Sequence, residues 1–458
     1  GQRIGNNKKR TFRKGPLHMI ISHRSRGGAL LLTLLLLLTM VGCIAQEPVS
    51  SVPGESTTST STTDSPTSVG TQQQTDPAAT TTTTTNAGTT AQTTTTDKPT
   101  DPSSDPATTT TSLPATTTKP APAGNAAAIL ARMSLEEKVG QMFMPHLPDS
   151  FSAADIQKYA PAGYVLYAKD FSGKTKAEVQ QMIARYQQAS KIPLLISADE
   201  EGGSVVRISS NPALCDTPFL SPQNVYQNNG LTGLIRDTQE KSRLLLSLGV
   251  NLNLAPVCDF TTDKSSYIYK RTLGLSAEKT AEGIAAIVRT MEQEGISGAL
   301  KHFPGYGSST DTHAGIAYDH RDKSEFIRQD FLPFIAGIEQ GVPSILISHN
   351  IVTCMDSDYP ASLSKEVHRV LREELHFDGV IMTDDLSMGA IKQFASGSSP
   401  AVMAVLAGND LLLTADWKKE YANVLSAVNS GVIPVSRVND AVERILNWKI
   451  DKGLLSAG

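Results

Sequence analysis

The chain has 458 residues, about three times a typical domain of ~150 residues. Hydrophobic residues make up 39% and charged residues 19%, enough for one sizeable core but too little for a uniformly globular chain. The net charge of −4 hides a gradient: residues 1–30 hold eight Lys/Arg and no acid, residues 44–124 seven acids and two Lys, and residues 125–458 carry 31 basic against 38 acidic side chains. An acidic folded portion argues against a polyanion such as nucleic acid as partner. Four cysteines (Cys43, Cys215, Cys258 and Cys354) are too few for a disulfide scaffold and lack metal-type spacing. No metal, phosphate-binding loop or cofactor is expected, and a single disulfide among the last three cysteines is left open.

Residues 29–42 read ALLLTLLLLLTMVG behind Arg24 and Arg26. The run falls short of the ~20 residues of a membrane-spanning helix and reads as a signal peptide. Met40-Val41-Gly42-Cys43 resembles a bacterial lipobox, which implies cleavage before Cys43 and lipid on its sulfur. Translation is expected to start at Met19. Residues 1–43 are therefore assigned to export, with the mature protein lipid-anchored on the outer face of the bacterial plasma membrane, or secreted. Residues 44–124 are Thr-, Ser- and Pro-rich without an aromatic. Such a segment cannot bury enough apolar area to offset its ordering entropy, so it is expected to be a disordered tether.

From residue 125 the pattern changes. Asn125 opens a helical segment, and Ser134-Leu-Glu-Glu137 is a capping-box signal for a second helix running into Val139 and Met142. Short apolar runs then alternate with amphipathic stretches such as 276–294 and 323–340. The runs are QMFMP (141–145), GYVLY (163–167), PLLIS (193–197), LNLAP (252–256), GALK (298–301), SILIS (344–348), GVIMT (379–383) and DLLLT (410–414). Strands this apolar are buried on both faces, the mark of a parallel sheet. Eight strand–helix units over residues 125–458 predict an α/β fold, a (β/α)₈ TIM-type barrel. A doubly wound open sheet is the alternative, but no glycine-rich dinucleotide fingerprint follows the first strand.

Barrel active sites sit at the C-terminal ends of the strands. Those ends are polar here: Asp199-Glu200-Glu201, Asp259, Lys301-His302, His349-Asn350, Asp384-Asp385 and Thr414 to Asp416. Convergence of six such ends predicts a site for a small, hydroxyl-rich ligand.

These segments together resemble glycoside hydrolase family 3, in its single-domain β-N-acetylhexosaminidase branch. The resemblance rests on Asp199-Glu-Glu-Gly-Gly203 with Val206-Arg207, Asn253 to Asp259, Arg271-Thr-Leu-Gly274, Lys301-His-Phe-Pro-Gly-Tyr-Gly307 with Asp311-Thr-His313, Thr383-Asp-Asp-Leu-Ser-Met388, and Ala407-Gly-Asn-Asp410. It covers essentially all of 125–450 in order. It implies a retaining exo-β-N-acetylglucosaminidase acting on a carbohydrate such as peptidoglycan-derived muropeptides. Asp384 would be the nucleophile, and His313, oriented by Asp311, the acid/base. Asp199 would accept from sugar hydroxyls; Arg271, Lys301 and His302 would donate to hydroxyls or the acetamido carbonyl. Arg207 would touch sugar or orient Asp199 or Glu201. Asp385 should point elsewhere and cap the following helix.

Three residues depart from the family pattern: Tyr306 stands where His is usual, Ser204 where Arg is expected, and Thr312 where Ser is usual. Ser204 is expected to loosen the loop around Asp199. Because the helical stretch 435–449 nearly ends the sequence, the acid is expected from the barrel rather than from a following domain. The protein is expected to be a monomer, touching the membrane through its lipid alone. Two other functions remain open on the same residues: a β-N-acetylglucosaminide phosphorylase, since a neutral imidazole repels phosphate less than a carboxylate does, and a non-catalytic sugar-binding lipoprotein.

Overall fold

The computed structural model describes residues 125–307, 311–312 and 315–456. The signal region with Cys43, the tether 44–124 and His313 lie outside the described residues. The strands are β1 (Phe143–Pro145), β2 (Gly163–Leu166), β3 (Leu195–Ala198), β4 (Leu252–Asn253), β5 (Ser297–Phe303), β6 (Tyr318–Asp319), β7 (Ser344–Ile347), β8 (Ile351–Val352), β9 (Val380–Thr383) and β10 (Leu412–Thr414). Each of the eight predicted apolar runs overlaps one of them. The short pair β6 and β8 was not expected.

The fold is α/β with parallel strands. β2-β3-β4-β5-β7-β9 form one six-stranded sheet, and β1 pairs with β10. Single parallel bridges, His146–Val165 and Met382–Leu411, link these two sheets at both edges. Side chains alternate across the strands, and both faces are buried. One face gives a single cluster fed by all eight strands of the predicted runs: Met144, Val165, Leu195, Leu252, Ala299, Leu346, Met382 and Leu413. The other face, with Tyr164, Ile196, Leu300, Ile345 and Ile381, packs against the helices.

The capping box is present. Ser134 Oγ accepts from Glu137 N–H at 3.2 Å and Glu137 Oε2 accepts from Ser134 N–H at 2.9 Å; the helix covers Leu135–Gln141, ending just before Met142. The predicted stretch 276–294 is the helix Ala277–Glu294, capped by Ser276. The stretch 323–340 is two helices, Lys323–Arg328 and Phe331–Glu339. At the break the Asp330 carboxylate turns inward to Arg321, 2.8 Å away. No helix among the described residues is long and apolar enough to cross a membrane. Cys215, Cys258 and Cys354 are free thiols.

The last helix, Val435–Asp451, closes the end of the sheet opposite the polar strand ends. Trp448 Nε1 donates to Ser297 Oγ at 2.9 Å, and Lys449 Nζ donates to Gln141 Oε1 and the Ala162 carbonyl, each at 2.8 Å. Lys449 is fully buried beside no carboxylate, and burial pushes its ammonium down to about 7. Its folded pKa is therefore below the unfolded value, and the unfolded chain binds the extra proton between them. The penalty is full below pH ~7 and is relieved as pH rises toward ~10. In urea unfolding, Lys449→Met should flatten the rise of stability between pH 7 and 10 relative to the unmodified protein.

Candidate active site

Strand β3 delivers Asp199, Glu200 and Glu201 into one turn. Glu200 is fully buried and accepts from the backbone N–H of Arg207 (2.9 Å) and Ile208 (2.8 Å), so it staples the 199–209 loop. The expected loosening at Ser204 is countered by this staple. Gly202 sits at φ 100°, and a Cβ there would lie 2.1 Å from the Leu220 carbonyl oxygen; only glycine fits the turn.

Lys301 Nζ lies 2.6 Å from Asp199 Oδ1 and 2.6 Å from Glu201 Oε1. Arg271 forks onto Glu201, Nε to Oε2 at 2.9 Å and Nη2 to Oε1 at 2.7 Å. Burial alone would raise the Glu201 carboxyl, but the two cations outweigh it and hold it well below the usual carboxylate range. Burial also works against charge on Lys301, yet Asp199 and Glu201 raise its pKa. Both cations therefore stay charged inside the protein.

Arg271 Nη2 also approaches His302 Nε2 at 3.3 Å. A guanidinium can only donate, so Nε2 accepts, and the ring proton sits on Nδ1, which donates to Asp259 Oδ2 at 2.7 Å. His302, expected as a donor to sugar, has both nitrogens engaged by protein groups. Asp259 is fully buried and also accepts from Tyr306 N–H at 2.8 Å.

Asp384 follows β9. Its N–H donates to the Ile347 carbonyl at 2.9 Å, and its Oδ1 accepts from Asp385 N–H at 2.8 Å. Asp384, Asp199, Arg271, Lys301, His302 and Arg207 all line one cavity of about 540 Å³, a size suited to a small ligand. Arg207 Nη2 stands 3.8 Å from Asp199 Oδ2, and its guanidinium lies 5.7 Å from the centre of the Tyr167 ring.

Asp385 departs from its expected role. It lines the same cavity, and the helix Gly389–Phe394 has no side-chain cap. Its carboxylate accepts from Ser387 N–H at 2.8 Å and binds His146 Nε2 at 2.7 Å. His349 is buried between Ser362 Oγ (2.8 Å) and the Asp385 carbonyl (2.9 Å).

The segment expected to supply the acid/base, 311–313, is described only in part. Asp311 is half-buried, and His313 lies outside the described residues. Thr312 between them is fully buried, and its Oγ1 is 2.6 Å from the Tyr306 hydroxyl. Two of the departures from the family pattern therefore contact each other. Burial, with Asp384 nearby, raises the Tyr306 phenol, so it stays a neutral hydrogen-bonding group.

His146, Tyr167 and Tyr267 line the cavity without having been singled out from the sequence. The strand-end rule, applied to Pro145-His146 after β1 and Leu166-Tyr167 after β2, would have found the first two. Tyr267 comes from a loop with no such signal. Among the described residues, no group of three or more His, Cys, Asp or Glu side chains is placed to hold a metal ion.

Glu201→Gln would leave Lys301 and Arg271 short of a charge partner. Breaking a buried ion pair from one side costs about 3–5 kcal/mol. Guanidinium unfolding should show a loss of that order, and binding of sugar should weaken with it.

Residues 134–448 match the glycosyl hydrolase family 3 N-terminal domain. A β-hexosaminidase of Hydrogenovibrio crunogenus is 31% identical over 284 residues, which are 60% of this chain and 77% of the relative. The solved family 3 β-N-acetylglucosaminidase of Paenibacillus sp. str. FPU-7 superposes with a TM-score of 0.66 at 29% identity, over 70% of this chain and 63% of that one. The solved β-N-acetylhexosaminidase of Beutenbergia cavernae gives 0.62 at 26% identity, over 70% of this chain and 99% of that one. The chain belongs to glycosyl hydrolase family 3 and is a glycoside hydrolase.

Proposed function

We propose that this protein is a retaining exo-β-N-acetylhexosaminidase that removes terminal N-acetylglucosamine, with Asp384 as nucleophile and His313, oriented by Asp311, as acid/base. The observation that carries the reading is the shared cavity: Asp384 stands in it with the Asp199–Lys301–Arg271 group. The relatives named β-hexosaminidase and β-N-acetylhexosaminidase support the class of sugar, and the one named β-N-acetylglucosaminidase supports N-acetylglucosamine itself. We take the strands to close into an eight-stranded barrel, supported by the two edge bridges and by the cluster that all eight strands of the predicted runs feed.

The chemistry has two steps. An Asp384 oxygen bonds to the anomeric carbon as the bond to the leaving oxygen breaks, and His313 gives that oxygen its proton. Water then attacks the same carbon, His313 takes a proton from it, and the ester to Asp384 breaks with the carboxylate restored. Two inversions give net retention. Lys301 and Asp199 present a donor–acceptor pair to sugar hydroxyls. Directional bonds of this kind recognise a polyol, because each buried polar group left unpaired costs ~1–3 kcal/mol.

The location follows from the sequence alone. The lipobox-like Cys43 and the tether support an exported enzyme held off the membrane, which favours peptidoglycan fragments as natural substrates.

The product first released from 4-nitrophenyl β-N-acetylglucosaminide should be the β-anomer by NMR; initial α-anomer would overturn the retaining mechanism. Asp384→Asn should lower kcat by about 10⁴-fold with thermal unfolding unchanged.

A further inference from the structure

Asp385, the neighbour of the nucleophile, is held at more points than the nucleophile itself. Its carboxylate takes His146 Nε2 at 2.7 Å on Oδ2 and Ser387 N–H at 2.8 Å on Oδ1. Its carbonyl takes His349 Nε2 at 2.9 Å. Its own N–H donates to Asp384 Oδ1 at 2.8 Å. His146 follows β1, His349 follows β7, and Asp385 follows β9, so three strand ends converge on one residue.

We propose that Asp385, gripped by His146 and His349, is the positioning residue for Asp384 and decides which carboxylate oxygen attacks the sugar. The inference rests on the reading of Asp384 as nucleophile. The proton placement is fixed by the partners. A carbonyl accepts, so His349 Nε2 carries hydrogen, and its Nδ1 faces the Ser362 hydroxyl at 2.8 Å. An ionised carboxylate 2.7 Å from His146 Nε2 likewise requires hydrogen on that nitrogen. Burial would raise Asp385, but His146 and Ser387 outweigh it and hold its carboxyl below the usual range, so it stays an acceptor. The Tyr167 hydroxyl, 3.1 Å from the same nitrogen, can then only share that hydrogen.

The consequence is directional. With the 384–385 peptide pinned, Oδ1 of Asp384 is committed to the Asp385 N–H, and Oδ2 is left to bond to the anomeric carbon. Loss of the His146 contact frees Asp385 to turn, and the attacking oxygen loses its aim. Small misplacements of a reacting group are enough to cost large factors in rate while leaving ground-state binding nearly intact.

The test uses the whole chain and a 5-fluorinated N-acetylglucosaminyl fluoride, which forms the ester on Asp384 quickly and releases it slowly. Labelling is followed by intact mass as a function of reagent concentration. In His146→Leu the limiting labelling rate should fall about 30-fold while the half-saturating concentration moves less than about 3-fold. His146→Gln, whose amide N–H replaces Nε2–H, should recover most of the rate. Ser362→Ala, which removes the Ser362 contact to His349, should lower the same limiting rate by about 3-fold, and it carries the test if His146→Leu does not fold. An unchanged limiting rate, a loss confined to half-saturation, or a Gln variant as slow as the Leu variant overturns the proposal. An unmodified protein that takes no label on Asp384 overturns instead the nucleophile reading on which it rests.

Discussion

The cavity is organised around one carboxylate, Glu201. It lies between Lys301 and Arg271 with 1% of its side chain exposed, and it lets two cations exist where an unpaired ammonium or guanidinium would be expelled or neutralised. Lys301 then has the charge to hold Asp199, and Arg271 the rigidity to fix the tautomer of His302. The chain of constraint runs from Glu201 outward, so residues that line the cavity are set by one that is buried beside them.

The eight strands of the predicted runs were legible because a strand covered on both faces has to be a short apolar run. The position of the site was legible for a related reason. Polar residues directly after such runs mark strand ends, and a common strand direction brings them to one end. His146 and Tyr167 each follow a strand and fall under the same strand-end rule, but neither carries a motif, so neither was singled out, and Tyr267, on a loop, had no such signal. The division of 323–340 was also hidden, since the break depends on Arg321 reaching Asp330, a contact between side chains nine residues apart. Asp385 looked like a helix cap because local sequence cannot show a histidine arriving from residue 146.

Tyr306 and Thr312 illustrate how two departures from a family pattern act as one change. A buried phenol without a partner costs ~1–3 kcal/mol. The Thr312 hydroxyl supplies that partner at 2.6 Å, inside the segment that carries Asp311. The Ala390 N–H adds a bond to the Thr312 carbonyl at 3.3 Å, tying the same segment to the helix Gly389–Phe394. Together the two side chains form a contact within the one segment that follows β5.

The final helix has a practical meaning for anyone handling the enzyme. Trp448 and Lys449 stopper the floor of the sheet while the mouth faces the opposite way, so a purification handle or surface linker placed beyond Asp451 stays remote from entering glycans. Trimming back past Trp448 would uncork the floor and let solvent reach the inner apolar layer, so the permissible fusion boundary lies between those two positions and the end of the chain.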